Sequence, residues 1–218
     1  MKITGGREQM KSLKGTETHT NLMRAFASES QARNRYTIYA EEAKKEGYPL
    51  IQQLFEKTSD QEQAHGKVFY EYLAKEFNGQ HIEIHADYPV DFYHENTHEN
   101  LKASINSEGH EHNVVYPTFA ETARREGFVK IAEHFEMIAE IENEHKRKFV
   151  EVLTQLENKT LFKKSEPVAW ECQICGHIHF GVAAPTLCGV CSHPKGHFQE
   201  AQLPAKVLEK IKEDAKKS

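Results

Sequence analysis

Glu62-Gln63-Ala64-His65 and Glu142-Asn143-Glu144-His145 repeat one motif, E-x-x-H, 80 residues apart. Further back, Glu29 and Glu108 correspond at an offset of 79. Residues three apart share a helix face, so each motif presents a carboxylate and an imidazole together. Two helix pairs that each supply a Glu and an E-x-x-H build the di-metal carboxylate site of a four-helix bundle. A second metal signature follows: Cys172-x-x-Cys175, twelve residues, then Cys188-x-x-Cys191. A pair site and a four-thiolate knuckle on one chain point to an electron-fed oxidoreductase.

The repeat extends outward from these motifs. Ala43-Lys44-Lys45-Glu46-Gly47-Tyr48 is echoed by Ala123-Arg124-Arg125-Glu126-Gly127-Phe128, Ile51 and Phe55 by Ile131 and Phe135, and Asn21-Leu22 by Asn100-Leu101. The pattern predicts two helical hairpins, 18–46 with 49–77 and 98–126 with 128–158. Gly47 and Gly127 close the first helix of each pair, and Pro49 suits the first turn of the next.

Apolar stripes point the ligands inward. The first helix carries Leu22, Phe26, Glu29, Ala32, Tyr36, Ala40 and Ala43 on one face, and the second carries Ile51, Phe55, Thr58, Glu62, His65, Phe69 and Tyr72. In the fourth the stripe is Ile131, Phe135, Ile138, Glu142, His145, Phe149 and Val152. Steps of three and four define a single face. An uncompensated buried charge costs several kcal/mol, so several carboxylates aimed into one core call for cations. An isolated E-x-x-H is weak evidence, and a third copy, Glu95-Asn96-Thr97-His98, has no partner in the repeat. It is read as a solvated helix start.

The repeat breaks once. Glu29 to Tyr36 is seven steps, whereas Glu108 to Tyr116 is eight. One added residue in a helix takes the form of a π-bulge, often at a functional site. Pro117 follows, favouring a kink, and the same stretch carries an extra acid, Glu111, one turn past Glu108. Tyr36 and Tyr116 are expected as donors that orient carboxylates beside the ligands or as core residues, rather than as radical sites. The connection 78–97 is expected to cross the bundle end or to pair as short strands, and has no functional reading.

Composition sets the frame. In 218 residues, 28% are charged, the net charge is −5 and the pI is about 6.3, which gives no nucleic-acid signal. No apolar run approaches the ~20 residues of a membrane span, and the N-terminus lacks the apolar segment of an export signal. A cytoplasmic protein is expected. All four cysteines lie between 172 and 191, a clustering that favours metal over disulfides. Zn and Fe both accept four thiolates. Trp170, His179 and Phe180 are candidates for a mini-core around them.

These residues together resemble rubrerythrins. The matching strings are A-F-A-S-E-S-Q-A-R-N-R-Y at 25–36, D-Q-E-Q-A-H at 60–65, E-G-H-E at 108–111, V-Y-P-T-F-A at 115–120, E-N-E-H-K-R-K-F at 142–149, and the cysteine knuckles followed by H-P-K-G-H-F at 193–198. The resemblance covers about residues 10–200. It implies a mainly α protein: a ferritin-like diiron four-helix bundle (1–160), a small β-rich rubredoxin-like module (161–200) and a charged, amphipathic C-terminal tail (201–218) around Val207, Leu208 and Ile211.

It also implies two non-haem irons bridged by Glu62 and Glu142, with Glu29 and Glu108 terminal. His145 ligates the iron nearer Glu108. The other iron takes Glu111 or His65 according to oxidation state. Cys172, Cys175, Cys188 and Cys191 hold a single iron. The implied activity is that of an NADH peroxidase, reducing hydrogen peroxide to water with electrons that reach the rubredoxin-like centre from NAD(P)H through a separate reductase. A head-to-tail homodimer is implied as well. Second knuckles of rubredoxins often read C-P-x-C-G. Here Cys188-Gly189-Val190-Cys191-Ser192 lacks both that Pro and the final Gly, which keeps zinc as the alternative at this centre. The rival reading is a ferritin-like ferroxidase that handles iron and carries a structural zinc knuckle. A third, an electron carrier with a vestigial bundle, sits poorly with an intact ligand set.

Overall fold

The structure is a computed structural model that describes residues 11–86, 96–204, 206–207 and 209–211. Two long helices, α1 (Glu17–Lys45) and α2 (Pro49–Phe77), form the first hairpin. The second starts with α3 (Thr97–His110), passes through a π-helical turn (Glu111–Val115) into α4 (Tyr116–Arg125), and returns along α5 (Val129–Glu157). The expected hairpins are present, with ends shifted by no more than a residue. A three-stranded antiparallel sheet follows: β1 (Lys163–Cys172) lies between β2 (Ile178–Ala183) and β3 (Phe198–Glu200). No described helix is long and apolar enough to cross a membrane.

The turns repeat as the sequence does. Gly47 and Gly127 take φ of 81° and 84°. In each turn the next residue's N–H returns to the helix, Tyr48 to the Ala43 carbonyl and Phe128 to that of Ala123, both at 2.8 Å. The left-handed conformation suits glycine. The acid before each glycine has a second task. Glu126 accepts from the Glu17 and Thr18 amides at 3.0 and 2.8 Å, capping α1. Its repeat partner Glu46 accepts from the Thr97 amide at 3.0 Å, capping α3. Free N–H groups at a helix start need acceptors, and each hairpin supplies them to the other.

The added residue shapes the third bundle helix as expected. The Tyr116 amide reaches back five residues to the Glu111 carbonyl. This wide turn keeps Glu108, Glu111 and Tyr116 all buried, where an uninterrupted helix would rotate one of them away. Buried aromatics then fill the bundle on either side of the acidic layer. Phe69, Tyr116 and Phe135 lie in one cluster, and Tyr36, Tyr39, Phe55 and Phe149 in the other. Phe26, Tyr72 and Val152, expected within the stripes, are only half-buried; Ala25 takes the inner position in α1.

Residues 81–86 are irregular, with no strand, and Ile82 packs on the core. Arg24 donates to the His85 carbonyl at 3.1 Å. Of the third E-x-x-H, Glu95 lies outside the described residues. Asn96 caps α3, accepting from the Glu99 amide at 2.8 Å, and half-exposed His98 pairs with Glu99 and Glu157 at 2.8 and 2.9 Å. Of the tail residues, Val207 is exposed in a short helical stretch and Leu208 lies outside the described side chains.

Candidate metal centres

Four helices converge on one buried layer of acids. Glu29 comes from α1, Glu62 and His65 from α2, Glu108 from α3, and Glu142 and His145 from α5, all at most 6% exposed. Their ligand atoms fall into two overlapping groups: Glu29, Glu62, His65 and Glu142, and Glu62, Glu108, Glu142 and His145, each within 4.8 Å. Glu62 and Glu142 belong to both. That is the arrangement two ions sharing two carboxylates require.

The donor geometry fits cations better than internal hydrogen bonding. His145 Nδ1 lies 2.8, 3.2 and 3.3 Å from carboxylate oxygens of Glu142, Glu62 and Glu108. One nitrogen cannot satisfy three acceptors. His145 Nδ1, Glu62 Oε1, Glu108 Oε2 and both Glu142 oxygens are buried without an aligned hydrogen bond. Unpaired buried polar atoms are rare in native proteins, and these five lie together in one layer. His65 Nδ1 likewise sits 3.0 Å from both Glu62 and Glu142 and 3.9 Å from Glu29.

Electrostatics carry the same message. Burial, then the Glu62 charge, pushes Glu29 and Glu142 well above the usual carboxylate range. Burial would also raise Glu62, but the His145 and His65 imidazoles beside it outweigh that and hold the acid at about 2. His145 goes the other way: despite burial, the Glu108, Glu142 and Glu62 carboxylates crowded around its ring push it up to about 12. Protons occupy the layer where cations fit, and metal binding displaces such protons.

Around the layer stand groups that orient it. The Tyr36 hydroxyl donates to Glu108 and the Tyr116 hydroxyl to Glu29. Burial and those acids raise both phenols, so they stay protonated donors. Gln61 Oε1 lies 3.2 Å from His145 Nε2, which directs the other ring nitrogen into the layer. Sequence reasoning passed over Gln61, since its counterpart at 141 is Ile and the repeat gives no signal. Glu111 stands apart from both groups. It is 9% exposed, accepts from Ser28 Oγ at 2.9 Å, and is pushed up to about 8 by burial and by Glu108 and Glu62.

The cysteines form a second centre. All four Sγ atoms lie within 4.8 Å, with Cys172–Cys191 and Cys175–Cys188 at 3.7 Å. The knuckles are built alike: the Gly176 amide bonds the Cys172 carbonyl at 2.8 Å, and the Ser192 amide that of Cys188 at 2.9 Å. Against burial, the Cys191 and Val190 amides lower the Cys188 thiol to about 6, favouring the thiolate a metal needs. Trp170 and Phe198 are fully buried beneath the sulfurs, and Trp170 Nε1 donates to the Gly181 carbonyl at 3.0 Å. His179 and Phe180, also expected in this mini-core, are only half-buried.

The rubrerythrin family model matches residues 20–153 and 99–171, and the rubrerythrin rubredoxin-like domain model matches 170–199. Rubrerythrin of Porphyromonas gingivalis is 42% identical over 199 residues, spanning 91% of this chain and 97% of that one. Rubrerythrin of Nitratidesulfovibrio vulgaris is 42% identical over 190 residues, spanning 87% and 97%. A solved structure of nigerythrin in a mixed-valence state superposes with a TM-score of 0.57 at 26% identity over 91% of each chain. With both centres matched in order along nearly the whole length, the chain belongs to the rubrerythrin family.

Proposed function

We propose that the protein is a non-haem diiron peroxidase of oxidative-stress defence, reducing hydrogen peroxide to water with electrons that enter through an iron held by the four cysteines. The observation that carries this reading is the sharing of Glu62 and Glu142 between two ligand groups on a chain that also holds a four-thiolate centre. A pair of ferrous ions supplies the two electrons that cleave the O–O bond, and two protons complete two waters. Everything else falls to the chain. Glu62 and Glu142 would be shared by both ions, Glu29 and Glu108 would each hold one, and His145 would hold the ion on the Glu108 side. On the Glu29 side His65 would serve the ferrous ion and Glu111 the ferric one, imidazole suiting the lower charge and carboxylate the higher. Tyr36 and Tyr116 hold the terminal acids in place, and the aromatic clusters keep bulk water out.

Electron delivery bears on assembly. Gly196 packs against the α1–α2 turn, where a Cβ would run into the Gly47 carbonyl and approach Pro49 Cδ to 2.9 Å. Glu29 lies sixteen residues before the end of α1, about 24 Å of helix axis. The cysteine module thus meets its own bundle at the α1–α2 end, a helix segment of that length from Glu29. That placement supports a head-to-tail homodimer in which a second copy brings its cysteine centre to this diiron layer. An NAD(P)H-dependent reductase in the cytoplasm is the proposed electron source.

Protein purified without added metal tests the reading. Two irons in the bundle and one in the knuckle are expected, with the red of ferric thiolate bleached by reductant. Cys172→Ser should oxidise its reduced diiron site once with peroxide yet lose steady-state turnover from an electron donor. A colourless knuckle holding zinc, with rapid oxidation of added Fe(II) in place of peroxide turnover, would favour a ferroxidase.

A further inference from the structure

Outside the acidic layer, a cleft of about 1270 Å³ opens between α1 and the α3–α4 helix, and its lining includes Ser28, Ser107 and Glu111. Among the described residues that line it, Glu111 is the only carboxylate. Its partner there is Ser28, whose hydroxyl donates at 2.9 Å from the neighbouring helix. We propose that Ser28 is a positioning residue: a latch that holds Glu111 on the cleft side, away from the metal pair, while His65 faces the bridging acids.

The arrangement is one-sided. His65 Nδ1 lies within 3.0 Å of Glu62 and Glu142, whereas Glu111 belongs to neither ligand group. The repeat explains why the latch exists in one half only. Ser28 precedes Glu29 as Ser107 precedes Glu108, at the same offset of 79. Ser107 accepts from Arg35 at 2.8 Å instead. The residue that corresponds to Glu111 in the first half is Ala32, so only the Ser28 hydroxyl has a carboxylate to hold. The bond joins α1 to the π turn and spans 83 residues, which makes it a tertiary restraint rather than a local helix contact.

The Glu111 carboxyl accepts this bond in its neutral form, so the latch should favour the His65-ligated state several-fold, up to about tenfold. The inference rests on the diiron reading. Ser28→Thr keeps the hydroxyl and Ser28→Val has nearly the same shape without it. Metal content, the two-electron midpoint potential of the pair, and crystals of the reduced form are measured for wild type and both variants. The latch predicts two irons in all three. In Ser28→Val the potential should fall by about 30 mV for each tenfold loss, with Glu111 found beside the metal in reduced crystals, and Ser28→Thr should restore both properties. Equal potentials with Glu111 unmoved in Ser28→Val overturn the latch alone. A wild-type chain that binds no metal pair overturns the diiron reading and the latch with it.

Discussion

The Tyr36 hydroxyl on α1 donates to Glu108 on α3, a bond that crosses from one hairpin to the other. The repeat supplies its counterpart, from Tyr116 on α4 to Glu29 on α1. Each half therefore orients a buried acid of the other, just as Glu46 and Glu126 exchange helix caps at the bundle ends.

Tyr36→Phe should weaken one ion selectively. Groups that orient metal ligands typically carry 10–100-fold in affinity, so the ion on the Glu108 side should be lost to a chelator about tenfold faster, with the Glu29-side ion nearly unaffected. Tyr116→Phe should show the reverse. Equal loss of both ions in either variant would show that the phenols serve the core rather than a particular ligand.

The bridging acids should be irreplaceable. Glu62→Ala and Glu142→Ala each remove a donor common to both ligand groups, so metal analysis should find the pair unassembled. His65→Ala removes a donor from one group only and should retain two irons with slower peroxide turnover. Full and equal metal loss in all three variants would count against the bridging assignment.

Much of this was legible in the sequence because duplication tests each motif against its copy. The helices, the six acids and imidazoles that converge in the buried layer, and the π turn all follow from offsets of 79 or 80 and their single break. What the repeat does not duplicate stayed hidden. Gln61 opposes Ile141 in register, so nothing marked it as the partner of His145. Ser28 is duplicated, but its hydrogen bond depends on the third helix lying beside α1, which no local pattern encodes. The Glu46 and Glu126 caps escaped for the same reason: a charged residue at a helix end reads as solvated until the other hairpin's start is placed against it.

Removing the metal should reverse the ordinary pH trend of stability. In the folded chain Glu111 keeps its proton up to about 8 and His145 up to about 12. Unfolded, they release near 4.5 and 6.5. Between these values the folded form binds more protons, so stability falls as pH rises. Glu62, held at about 2, contributes stability above 4.5 that is lost only as pH falls toward 2. The melting temperature of chelated protein should therefore drop steadily from about pH 5 to pH 8. Reloading iron should flatten the slope and release protons, measurable by calorimetry in two buffers. A chelated protein that becomes more stable over that range would contradict the protonated layer.

The second knuckle carries a correctable strain. Ser192 has φ of 59°, in the region where its counterpart Gly176 has 73°. A non-glycine residue there costs roughly 1–2 kcal/mol, partly offset by the roughly 0.5–1 kcal/mol that glycine's unfolded-state freedom would cost. The Ser192 amide already makes its 2.9 Å bond to the Cys188 carbonyl, and the substitution leaves that bond intact. Ser192→Gly should therefore stabilise the cysteine module by about 0.5–1 kcal/mol, read as slower metal release to a chelator. The diiron layer, built on other elements, should melt unchanged. Gly176→Ser should have the opposite effect in the first knuckle. If the two substitutions shift metal release in the same direction, backbone conformation is not what distinguishes the knuckles.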